Sequence, residues 1–126
     1  MLLARDGSLT NCAGFARQFF GRKSDAATQR LAYAYTPAFN TAYTNNQALL
    51  RLWRDPENIA PDGQRIFKPR LGVHDSIVGC APIDRRDWVK AKIAEWWNGT
   101  ITVAGLTFTI PAESKRGPNW GELTTI

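Results

Sequence analysis

Two residues carry most of the chemistry this sequence could perform. Cys12 lies in LTNCAGFARQFFG, residues 9 to 21, and His74, the only histidine, lies in VHDSIVG, residues 73 to 79. A thiolate is a strong nucleophile, and a helix N-terminus or a neighbouring base promotes it. Thr10 has the side chain of a helix cap and Gly21 that of a helix stop, so residues 8 to 21 read as a short helix. Cys12 then falls in the first turn, where the dipole favours negative charge. Cysteine is also among the residues most often simply buried, and that structural role outweighs the catalytic one.

The phrase NCAGF resembles the nucleophile motif of the NlpC-type cell-wall peptidases and related amidases, in which Asp or Asn is followed by Cys, a small residue, Gly and a hydrophobic residue. The resemblance implies Cys12 as nucleophile, Gly14 as the close-packing glycine and His74 as base. After its histidine that family continues with apolar strand residues, whereas this chain has Asp75 and Ser76.

Other chemistries lack their residues. One histidine and two distant cysteines, Cys12 and Cys80, have no zinc spacing, and no glycine-rich phosphate loop or paired-carboxylate motif occurs. No metal or cofactor is expected. The N-terminal residues lack the pattern of a signal peptide, so the two cysteines are expected as free thiols. By the same reading the protein is cytoplasmic or assembled into a particle. Asn98-Gly99-Thr100 has the form of a glycosylation acceptor but no secretory context.

The net charge of +5 fits an acidic partner, nucleic acid included. Its densest cluster is RIFKPR, where Arg65, Lys68 and Arg70 are the candidate binding cations. No apolar run approaches the roughly 18 residues of a membrane span. A 126-residue chain suits one domain, with about 6,700 Å² of surface expected when folded.

The elements that position these residues follow from pattern. After Ser24-Asp25 a helical piece runs through AATQRLAYAY. Thr36-Pro37 has the form of a cap and first helical residue, so a separate helix is expected over PAFNTAYTNNQALLRLWRD. Its apolar positions Phe39, Tyr43, Leu49, Leu50 and Trp53 share one face. Residues 55 to 64 form a loop, and 65 to 69 and 71 to 79 form short strands. A helix over 84 to 97 carries a stripe of Trp88, Val89, Ile93, Trp96 and Trp97. In TITVAGLTFTI, residues 100 to 110, apolar and threonine residues alternate about Ala104-Gly105. That is a hairpin with one apolar face, which must pack on something and has the tryptophan stripe as its candidate.

The fold class expected is α+β, a single domain over 1 to 111 with three to four helices and a small antiparallel sheet including the 100–110 hairpin. Beyond Pro111, residues 112 to 126 read as an extended arm without regular structure. Its one large anchor, Trp120, is set between Gly117-Pro118 and Gly121 and is suited to a pocket on a neighbour. The function expected is a non-enzymatic structural or assembly subunit of a larger complex, such as a phage or other virus particle. Its partners are other protein subunits, in a homo-oligomer or larger assembly. The alternatives are the Cys12/His74 peptidase or amidase, and a small basic inhibitor or nucleic-acid-binding module using the RIFKPR region.

Overall fold

The computed structural model describes residues 3 to 126. Its backbone is a helix of 29 residues, α1 (Ala26–Arg54), with smaller elements set along it. Strands β1 (Ser8–Thr10) and β2 (Ala16–Gln18) precede it. A one-turn 3₁₀ segment, Pro56–Asn58, follows. Next come β3 (Lys68–Val73) and β4 (Ser76–Cys80), then the second helix α2 (Arg86–Trp96), then β5 (Thr100–Val103) and β6 (Leu106–Thr109). The chain closes with β7 (Lys115–Arg116) and β8 (Thr124–Thr125). The strands form four separate two-stranded antiparallel sheets, β1–β2, β3–β4, β5–β6 and β7–β8.

This architecture is α+β in the broad sense, but it corrects the expectation of three to four helices. Residues 8 to 21 are a hairpin, not a helix. Asn11 is the reason: its Oδ1 accepts the amides of Ala13 and Phe15, each at 3.0 Å, and Gly14 takes a positive φ of 82°. The asparagine side chain competes with helix hydrogen bonding, and the glycine supplies the left-handed corner. Phe19 then turns inward while Phe20 points to solvent, 95% exposed.

The two helices expected on either side of Pro37 are one. A proline inside a helix removes one hydrogen bond and crowds the preceding turn. Here a single row of side chains at four-residue steps bridges it: Thr28, Ala32, Asn40, Thr44, Ala48 and Leu52 are buried, with Thr36 half-buried between them. Burial on both sides of the proline holds the helix continuous. At 1.5 Å per residue α1 is about 44 Å long, whereas a compact domain of this length is a sphere only about 36 Å across.

The apolar side chains therefore gather in two places along the rod. One cluster holds Leu3, Phe19 and Ala32, flanked by Leu9 and Tyr35. Tyr35 ties the β1–β2 hairpin to α1, accepting from Asn11 Nδ2 at 3.0 Å and donating to the Phe15 carbonyl at 3.2 Å. The other cluster joins Leu52, Ile66, Phe67, Val89 and Trp96, flanked by Ala60, Trp88, Ile93 and Trp97. The tryptophan stripe of α2 thus packs on the end of α1 and on residues 66 and 67.

Polar groups lock this second cluster. Asn58 is fully enclosed; its amide donates to the carbonyls of Leu52 and Phe67, and its Oδ1 accepts from the Phe67 amide at 2.8 Å. Asp55 accepts from the Trp96 indole at 2.8 Å and pairs with Lys92 at 3.1 Å. Lys92 also reaches Glu57 at 2.7 Å and Glu95 at 2.9 Å. Burial pushes the Asp55 carboxyl up, but the Trp96 indole, the Glu57 amide and Lys92 together hold it below its usual value. The carboxylates of Glu57 and Glu95, against the opposing effect of desolvation, raise Lys92 well above the usual lysine range, with Asp55 adding to them.

The β5–β6 hairpin turns at Ala104-Gly105, both at positive φ, and pairs Ile101 with Phe108 and Val103 with Leu106, as the alternation expects. The burial of its apolar face differs from expectation. Ile101 is buried, but Phe108 is 44% exposed and Leu106 more so. Strand β5 packs against α1, while Leu106 and Phe108 of β6 keep much of their surface in solvent.

Candidate functional site

Cys12 sits in the turn between β1 and β2, and its thiol donates to Asn40 Oδ1 of α1 at 3.3 Å. With residues 8 to 21 in a hairpin, no helix N-terminus stands behind it. His74 occupies the tip of the β3–β4 hairpin at a positive φ of 53°, exposed. Among the described residues no hydrogen bond joins it to Cys12. Cys80 is a free thiol, as is Cys12. Among the described residues no group of three or more His, Cys, Asp or Glu side chains is placed to hold a metal ion. No helix among them is long and apolar enough to cross a membrane.

The RIFKPR segment divides by side. Ile66 and Phe67 enter the core; Arg65 and Lys68 are half-buried, with one terminal nitrogen of Arg65 enclosed, and Arg70 is exposed. Gly79 makes this packing possible, because a side chain there would collide with the Phe67 ring. The guanidinium of Arg65 lies over the Trp53 ring, 3.7 Å from its centroid. That is a close cation–π contact, and it fixes the indole at the surface, where it remains 56% exposed. Among the described residues none of the three cations forms an ion pair within 4 Å.

Beside this contact an open groove of about 380 Å³ runs between α1 and the β3–β4 hairpin. Leu49, Leu50 and Trp53 line one wall; Pro69, Arg70, Leu71, Gly72 and Ile77 line the other. The register explains the second wall. Pro69 pairs with Gly79 and Leu71 with Val78, leaving Arg70 as the extra residue of a β-bulge. Bulges bend a strand and re-aim the residue they carry. The result is an apolar trough with unpaired positive charge along it. The cations are legible in the sequence and the trough is not, since α1 and the hairpin come together only in space. The apolar positions Leu49, Leu50 and Trp53 on one helix face were the available signal.

Trp120 stands apart from both clusters. The arm has structure of its own, a correction to the expectation of an irregular tail. Lys115 pairs with Thr125 and Arg116 with Thr124, and the Ile126 amide donates to the Ser114 carbonyl at 3.0 Å. Asn119 Oδ1 accepts the Gly121 amide at 2.9 Å, shaping the turn that carries Trp120, which is 57% exposed. Arg116 reaches Asp87 at the start of α2 at 3.8 Å. Comparison with known proteins finds no matching family model, no matching curated protein and no matching solved structure.

Proposed function

We propose that the chain is a non-enzymatic assembly subunit, built to bury much of its surface against other copies of itself; a virus particle is one setting for such a protein. The carrying observation is surface. The chain exposes 8,941 Å², about 2,200 Å² more than the roughly 6,700 Å² of a compact monomer of its mass. A standard interface takes only about 800 Å² from each partner. The exposed area includes large apolar side chains on every part of the rod: Phe15 and Phe20, Leu31 and Tyr33, Leu50 and Trp53, Leu106 and Phe108, and Trp120. Single exposed apolar residues are ordinary, but contiguous ones mark interaction surfaces. Nothing in the geometry of Cys12 and His74 favours the peptidase reading, and the apolar floor of the groove suits a protein side chain better than a phosphate backbone. The native mass of the chain in solution tests the proposal: it requires a multiple of 14.1 kDa.

A further inference from the structure

We infer that the groove between α1 and the β3–β4 hairpin receives the C-terminal arm of a second copy of this chain, with Trp120 and Leu123 in the trough and Glu122 against Arg70. This rests on the assembly reading and names its contact. The arm presents Trp120-Gly121-Glu122-Leu123 in the connection between β7 and β8, an apolar–acidic–apolar order, and Trp120, Glu122 and Leu123 are all exposed. The groove presents complementary chemistry, with Leu50, Trp53, Leu71 and Ile77 as apolar lining and Arg70, the residue of the bulge, as a cation beside them. Arg70 and Glu122 each lack an ion-pair partner within their own chain among the described residues.

The arm of the same chain does not supply the contact, since no residue beyond Ile77 lines the groove and the arm is instead tied to α2 through Arg116 and Asp87. A groove of about 380 Å³ lies within the size range of pockets that enclose ligands, and an indole fits it easily. The surplus of exposed surface is more than one such interface consumes. Because arm and groove are different patches, reciprocal exchange between two copies closes a two-fold dimer, and one-way exchange builds a ring or chain.

The test is self-association of the full chain by sedimentation, with four variants whose folding is checked by circular dichroism. Arg70→Glu and Glu122→Arg should each weaken association by about tenfold or more, because like charges then face one another. The double variant carrying both changes should associate nearly as the native chain does. Trp120→Ala should weaken association by roughly 30-fold, the effect of losing a large aromatic anchor. Folded single variants that associate like the native chain, or a double variant that fails to recover, would overturn the arm-in-groove contact and leave the assembly reading standing. A native chain that remains monomeric at every concentration would overturn both.

Discussion

Asn58 is the residue on which the larger core turns, because its side chain answers three backbone groups from two different segments. Removing it leaves the Phe67 amide and the carbonyls of Leu52 and Phe67 without partners inside the protein. Each buried group left unpaired costs roughly 1–3 kcal/mol, so Asn58→Ala should destabilise by about 3 kcal/mol or more in a denaturant titration. The charged cluster beside it sets the pH range. Asp55 is depressed in the fold, so its contribution is complete above its unfolded value near 3.8 and is lost as pH falls through the lower folded value. Lys92 is raised, so its contribution is complete below its unfolded value near 10.5 and fades as pH rises towards the higher folded value. The melting midpoint should therefore form a plateau between about pH 4 and 10, and Asp55→Asn should flatten its acid side. None of this was legible beforehand. Asn58 looked like one polar residue in a loop, and its role comes from being enclosed between segments that only folding brings together. Cys12 shows the reverse case: its residue type invites chemistry, and the structure places it, exposed, in a hairpin turn where its thiol donates to Asn40.

At the scale of elements, alternation was easier to read than helical boundaries. The β5–β6 hairpin was legible to the residue, because a period of two and an Ala-Gly turn admit one register. Its burial was not, because alternation says which side chains share a face and not what that face meets. Ile101→Ala should cost about 2–5 kcal/mol as a buried truncation, whereas Phe108→Ala, at a half-exposed position, should cost about 1–2 kcal/mol. Equal losses in the two variants would mean that β6 is covered after all. Helix limits failed in both directions for identifiable reasons. Asn11 and Gly14 turned an expected helix into a hairpin, and a continuous buried row carried α1 through Pro37 where a new helix was expected. Local signals set a preference, and burial along the whole length overrode it.

At the scale of the molecule, a helix longer than the diameter of a compact domain prevents the chain from closing into a sphere. Two clusters form along it, and the surface between and beyond them stays open. Length and composition set an expected surface of about 6,700 Å², and the elongated chain exposes 8,941 Å². The basic RIFKPR segment and Trp120 were legible as binding features, while the groove that relates them exists only once α1 and the β3–β4 hairpin lie side by side. The measurement that bears most directly on the assembly reading is the native mass of the full chain by sedimentation equilibrium over a wide concentration range. The expected result is an integral multiple of 14.1 kDa that is maintained on dilution into the working range. A single species of 14.1 kDa at the highest attainable concentration would contradict it.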